Sequence, residues 1–306
     1  MKTILITGAA GFLGRHIARE FAQAGCKVVG VDVVAAENSG LGPGVEYARL
    51  TLPSPSFTEL IRRTQPAALI HCAGRASVAS SLSDPAADFR DGTVLTFEVL
   101  DALRTAAPRC RFVLLSSAAV YGNPVSLPVT EDHACAPLSP YGYHKRQSEL
   151  LCEEFARLFA IPTTVVRIFS AYGPGLRRQV VWEVCRQALT ESELRLHGTG
   201  GESRDFIHAA DVARALRQIV ESGPCTGEIC NLASGTETTI AELADCILRQ
   251  LGRAIPIRFD GAQTPGDPLH WRAEISRVRA LGFEPRVTLE KGLESIAAWC
   301  AAEVAL

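Results

Sequence analysis

The chain constrains its own fold first at Gly8-Ala9-Ala10-Gly11-Phe12-Leu13-Gly14, a three-glycine spacing directly after the apolar run TILIT at 3–7. In such a turn the first glycine permits a tight bend and the second lets a ligand approach the backbone. The third lets a helix pack closely on the strand. Residues 12–24 (FLGRHIAREFAQA) then carry apolar positions at helical spacing. Strand, turn and helix together leave the first N–H groups of the helix unpaired and aimed at an anion. Asp32 closes the next apolar run, 28–32 (VVGVD), 18 residues after Gly14. A carboxylate there accepts hydrogen bonds from ribose hydroxyls and repels a 2′-phosphate. Val33 and Val34 follow it, with no cation directly after. The segment therefore points to a dinucleotide, and to NAD rather than NADP. The plainer alternatives are a tight turn that binds nothing and a solvated strand-end carboxylate.

Further apolar runs lie at 68–72 (ALIHC), 112–117 (FVLLSS) and 163–168 (TTVVRI), with a helical pattern at 93–106 between two of them. Near-continuous apolar runs read as strands covered on both faces, and alternation with helices implies right-handed crossovers and a parallel sheet. The expected class is α/β, a Rossmann-type doubly wound parallel sheet. Ala73-Gly74, just beyond the 68–72 run, offers a second close backbone approach to the cofactor. After about residue 169 the rhythm loosens. Helical patterns near 180–190, 239–252 and 288–303 alternate with glycine- or proline-rich loops at 198–202 and 261–268, and 36–44 reads as a surface loop. This suggests a cofactor domain of 1–168 plus about 206–236. A smaller, interleaved C-terminal substrate lobe would take about 169–205 and 237–306.

Charge excludes one class of partner. The 31 Lys and Arg against 33 Asp and Glu leave a net charge of −2, without the basic excess that a nucleic-acid groove needs. No apolar run approaches the ~20 residues of a membrane span. The opening MKTILITG breaks at Gly8 and reads as a strand rather than a secretion signal. Ten scattered cysteines without CxxC, and seven histidines without HxxxH or HExxH, suggest reduced thiols in the cytoplasm and no metal site.

Tyr141-Gly142-Tyr143-His144-Lys145 opens a pattern whose apolar residues (Leu150, Leu151, Phe155, Leu158, Phe159) recur at helical spacing. Residues four apart share a helix face, so the Tyr141 hydroxyl and Lys145 ammonium can reach one pocket. A free phenol titrates near about pH 10. A neighbouring ammonium favours its ionised form and makes it a usable general base and acid. The run at 112–117 ends in Ser116-Ser117. Strand C-termini face the ligand crevice of open α/β sheets, so Ser117 can hold the oxygen that Tyr141 deprotonates. Ser116 can instead do no more than satisfy the strand end.

TGAAGFLG, SSAAVYG, SPYGYHK and RDFIHAADVA together resemble the extended short-chain dehydrogenase/reductases, in their nucleotide-sugar epimerase/dehydratase branch. The resemblance extends to LGFEPRVTLEKGL at 281–293. It implies tightly held NAD, a nucleoside-diphosphate sugar substrate, and a homodimer pairing helix 93–106 and the Tyr141 helix with their mates. Leu95, Val99, Leu150 and Leu151 fit that interface or the sheet. By carry-over Ser117, Tyr141 and Lys145 are catalytic, and Tyr141 and Lys145 also touch the cofactor. Arg204 clamps the diphosphate unless it pairs with Asp205 or Asp211, and Trp271 lines the sugar near its 2-substituent. Dehydratases of this branch carry an acidic pair directly after the position of Ser117, and decarboxylating members usually a Glu at the second place. Here stand Ala118 and Ala119. A redox-neutral C4 epimerase of the UDP-hexose type is thus expected, a 4-ketoreductase or C4 dehydrogenase being the alternative. The chain departs from the family pattern at Thr51, Gly92, Ser170 and Thr264, the last replacing a phosphate-binding Arg for which Arg177, Arg178 or Arg272 could substitute.

Overall fold

The computed structural model describes residues 1–262, 266 and 268–305. Thr3–Thr7 (β1) is buried at four of its positions, as a strand covered on both faces must be. It leads through the glycine turn into Phe12–Gln23 (α1) and on to Lys27–Asp32 (β2), parallel to β1. Val45–Arg49 (β3) pairs beyond β2, and Pro55–Thr64 (α2) leads to Ala68–His71 (β4) on the opposite side of β1. Two short helices, Val78–Ser83 (α3) and Pro85–Phe89 (α4), pass through a π-helical turn at Arg90–Val94 into Leu95–Ala106 (α5). Arg111–Ser117 (β5), Pro140–Phe159 (α6) and Thr163–Ile168 (β6) continue the winding.

Beyond β6 the chain leaves the sheet and comes back. Ser170–Tyr172 (β7), Gln179–Thr190 (α7), Leu194–Leu196 (β8) and Ser203–His208 (β9) precede Ala209–Ser222 (α8). Glu228–Leu232 (β10) then pairs with β6 and completes a seven-stranded parallel sheet in the order β3-β2-β1-β4-β5-β6-β10. The winding reverses between β1 and β4, and such a reversal opens a ligand crevice at the strand C-termini. Glu237–Thr239 (β11), Ile240–Gln250 (α9), Ile257–Phe259 (β12), Ser276–Ala280 (α10) and Leu289–Val304 (α11) follow. They add a three-stranded sheet β11-β9-β7 and a pair β12-β8.

The strand period of two separates the cores. Ile4 and Ile6 face a cluster with Ile17, Phe21, Val212 and Leu216, whereas Leu5 faces Phe57, Leu103, Phe112 and Phe155. A third cluster, around Val184, Phe206, Leu243, Ile247 and Leu293, belongs to the C-terminal elements alone. Leu95 and Val99 are buried and Leu151 packs on the same sheet face, while Leu150 points outward. The 36–44 loop contains one 3-10 turn, Ala36–Asn38. None of the ten cysteines is in a disulfide. Among the described residues, no helix is long and apolar enough to cross a membrane.

Candidate active site

The glycine turn is built as its spacing requires. Gly8 has φ 68°, and a Cβ there would lie 2.6 Å from the Ala73 backbone nitrogen. A Cβ on Gly14 would drive into the Gly8 carbonyl oxygen, so α1 can sit on the turn only with glycine there. At Gly11 a Cβ would touch nothing but that carbonyl, at 3.1 Å, because the other side opens into the crevice. Gly11 caps α1 without a side-chain hydrogen bond, which leaves the first amides of the helix to an anion. The crevice has a volume of about 1060 Å³, and Gly8, Gly11, Phe12, Leu13, Gly14 and Gly74 form part of its wall. That is at the upper end of the range of small-molecule pockets. Ala73 stands behind Gly8 with its N–H on Thr7 Oγ1 at 3.5 Å.

Asp32 ends β2 with its carboxylate accepting from Ala10 N at 2.9 Å and Val33 N at 2.7 Å. It thereby ties the glycine turn to the end of β2. No cation follows Asp32 in sequence, but Arg49 stands beside it in the β2–β3 register and donates through Nε to the Val33 carbonyl at 3.0 Å. Strand pairing brings this guanidinium beside Asp32, and sequence adjacency gave no sign of it.

Tyr141 and Lys145 lie on the first turns of α6. Ser139 caps that helix, its side chain accepting from Gly142 N, and Pro140 supplies a preset first residue. A Cβ on Gly142 would lie 2.6 Å from the Ala119 carbonyl oxygen, so the glycine lets the helix start press against the turn after Ser117. Ser117, Tyr141 and Lys145 accordingly line the same crevice. Lys145 Nζ donates to the Leu115 carbonyl at 2.9 Å and lies 5.8 Å from the centre of the Tyr141 ring. Ser117 Oγ accepts from Ala119 N at 3.2 Å, whereas Ser116 turns away and donates to Glu149 at 2.7 Å. Burial, with the Lys145 charge second, holds His71 down at about 3, so that imidazole is neutral. Burial pushes the Cys72 thiol up to about 12. The cation on this floor is Lys145.

The opposite wall comes from the C-terminal elements. Arg204 donates to the Ser203 and Leu269 carbonyls and lies 5.6 Å over the Trp271 ring. Trp271 is buried and donates through its indole N–H to the Gly122 carbonyl at 3.1 Å, and both side chains line the crevice. Asp205 accepts from Ser234, Gly235 and Ala273, and Asp211 pairs with Arg214. Burial pushes the Asp205 carboxyl up to about 6, against the pull of those hydrogen bonds. Ser170 lines the crevice and Gly92 lies beside Gly74. Thr264 and Asp267 lie outside the described residues. The crevice also gathers Arg75, paired with Asp91, and Arg195, paired with Glu193. Sequence reasoning did not single these out, because only the fold brings them to the site.

Residues 4–233 match the model of the NAD dependent epimerase/dehydratase family. The chain belongs to that family. It is therefore an enzyme, and its cofactor is NAD. It is 29% identical over 308 residues to the UDP-glucose 4-epimerase of Mycolicibacterium smegmatis, covering 96% of each chain. It is equally close, 29% over 333 residues, to dTDP-glucose 4,6-dehydratase 1 of Escherichia coli, with 97% of this chain and 92% of that one covered. Among solved structures, the UDP-glucuronic acid 4-epimerase of Bacillus cereus, in complex with UDP-glucuronic acid and NAD, superposes with a TM-score of 0.91 at 26% identity. That match covers 98% of this chain and 99% of the other. Relatives that share the fold thus perform different reactions, and only side chains can separate them.

Proposed function

We propose that this chain is a nucleotide-sugar C4 epimerase of the UDP-hexose type that oxidises and re-reduces one carbon without net redox change. The observation that carries the reading is the crevice floor. Ser117, Tyr141 and Lys145 converge there, while the two residues after Ser117 are Ala118 and Ala119. The carboxylates farther along the crevice are engaged elsewhere, Glu183 by Arg186 and Gln187, and Glu202 by Thr199 and Gly200. Oxidation and reduction of a secondary alcohol need one proton moved at one oxygen. Elimination of water needs a further acid and base, and the alanines supply neither.

Gly8, Gly11, Phe12, Leu13 and Gly14 would hold the pyrophosphate, Asp32 the adenosine ribose, and Ala73 and Gly74 the backbone side. When bound, NAD supplies a hydride acceptor that can give the hydride back. The remaining chemistry belongs to the chain. The Tyr141 oxygen, as the phenolate that the Lys145 ammonium one helical turn away favours, takes the proton of the 4-hydroxyl group and later returns it. Ser117 holds the same oxygen in both states. Arg204 grips the diphosphate, where a planar guanidinium matches phosphate oxygens. Trp271, held by the Gly122 carbonyl, would bound the sugar. The C-terminal elements around the third core form the substrate lobe.

Proton NMR of UDP-hexoses incubated with the purified protein tests the reaction. The expected result is interconversion of C4 epimers with no added cofactor, and retention of a deuterium label placed at C4. Stoichiometric consumption of reduced nicotinamide, with a one-way product, would replace the epimerase by a 4-ketoreductase.

We also propose a cytoplasmic homodimer. Phe89, Phe97, Leu150, Leu158 and Phe159 are exposed apolar side chains on the neighbouring helices α4, α5 and α6, enough to seat a second copy. Sedimentation should show a dimer at micromolar concentration, and Leu150→Glu with Phe97→Glu should give monomers. A monomeric wild-type protein would remove the proposal.

A further inference from the structure

The loop between β7 and α7 lines the crevice through Leu176, Arg177 and Arg178. On one side it lies against the start of α1. The His16 ring bonds the Pro174 carbonyl at 3.1 Å, and a Cβ on Gly175 would meet the Phe12 ring at 3.9 Å. On the other side Arg178, at the end of the same loop, donates through Nη1 to the carbonyl of Ala76. Ala76 stands two residues beyond Gly74 and, like Phe12, lines the crevice. The loop and the Arg178 side chain together form a bridge between the start of α1 and the segment after β4, beside the uncapped end of α1.

The charges around this bridge are unequally matched. Arg177 is spent on Glu303, Arg75 on Asp91 and Arg195 on Glu193. Arg178 has only a backbone carbonyl, and among the described residues no carboxylate neutralises it. Arg272, the other expected substitute, is not part of the crevice wall. A guanidinium has five donors in a planar fork, so one bond to Ala76 leaves most of them for an anion.

We propose that Arg178 is a diphosphate clasp, which closes the crevice over a bound diphosphate by bonding its oxygens and the Ala76 carbonyl together. This rests on the assigned nucleotide chemistry and extends it to a residue that the family pattern does not mark. Two diphosphates meet at such a crevice, that of the dinucleotide and that of the sugar nucleotide. A redox-neutral cycle needs the first to stay bound between hydride removal and return.

The test measures ligand release rather than turnover. NAD dissociation from the purified holoprotein is followed by stopped-flow fluorescence with excess ADP-ribose as trap, and UDP affinity by calorimetry. Arg178→Ala removes a charge-assisted bond to phosphate, so the affected ligand should leave about 10- to 100-fold faster or bind that much more weakly. Arg178→Lys, which keeps charge without the fork, should fall between. Faster NAD release assigns the clasp to the dinucleotide, and weaker UDP binding assigns it to the substrate. Arg177→Ala, whose guanidinium is already paired, is the charge control. Wild-type NAD release and wild-type UDP affinity in Arg178→Ala, or an equal loss in Arg177→Ala, would overturn the proposal. Because neither readout requires epimerisation, a failure here is distinguishable from a wrong reaction.

Discussion

Tyr141→Phe should lower kcat by roughly 10²- to 10⁴-fold, the usual contribution of a positioned acid–base group, while the protein still folds and still carries NAD. The substitution removes one oxygen from a half-buried ring and leaves intact the elements that place it. The Ser139 cap, the Gly142 approach to Ala119 and the Lys145 bond to the Leu115 carbonyl do not use the phenol oxygen. What disappears is the group able to exchange a proton with the 4-hydroxyl. The measurements are turnover by NMR and NAD content by absorbance of the released nucleotide. Lys145→Met should also slow turnover, since the ammonium next to the ring would be gone. The two losses should not add, because both act on one proton transfer. Wild-type turnover in Tyr141→Phe would remove this residue from the chemistry.

Local patterns were legible and distant pairings were not. The strands β1, β2, β4, β5 and β6 announce themselves because burial on both faces demands near-continuous apolar runs. Edge strand β3 (VEYAR) is half exposed and charged at two of its five positions, so no such run marks it. Helix α8 buries Val212, Leu216, Ile219 and Val220 on one face, and that helical spacing is carried by the sequence itself. The three-residue strands β7, β8, β11 and β12 exist through partners far along the chain, and three residues carry too little pattern to be seen. The start at Leu95, rather than 93, follows from the π-helical turn before α5, which no periodicity announces. At the site, the glycine spacing and the Tyr141–Lys145 spacing are local geometry and could be read directly. The Arg49 approach through strand register, and the Arg178 reach to Ala76 across 102 positions, exist only after folding.

Arg167→Met should cost about 3–5 kcal/mol of stability, as expected when one partner of a buried ion pair is removed. An arginine inside the apolar run TTVVRI already marks the place, since an unpaired charge there would not be tolerated. Its side chain is 2% exposed and that of Glu149 1%, and the two form a fork with Nε–Oε1 at 2.9 Å and Nη2–Oε2 at 2.7 Å. Burial works against the Arg167 charge, but the hydrogen bonds and charge of Glu149 outweigh it and hold the group above its usual range. Arg167 also donates to Tyr121, whose hydroxyl donates in turn to Asn231, so β6, β10, α6 and the turn after β5 are joined through one guanidinium. Removing it would leave Glu149 buried with Ser116 and the partly exposed Arg146 as its remaining partners. The double variant Arg167→Met with Glu149→Leu should recover much of the loss, because a desolvated pair contributes little net stability once both charges are absent. Chemical denaturation of the three variants checks this. A double variant no more stable than Arg167→Met would mean that the Arg167 bonds to the Tyr121 hydroxyl and, at 3.2 Å, to the Glu131 carbonyl, rather than the ion pair, set the stability of this layer.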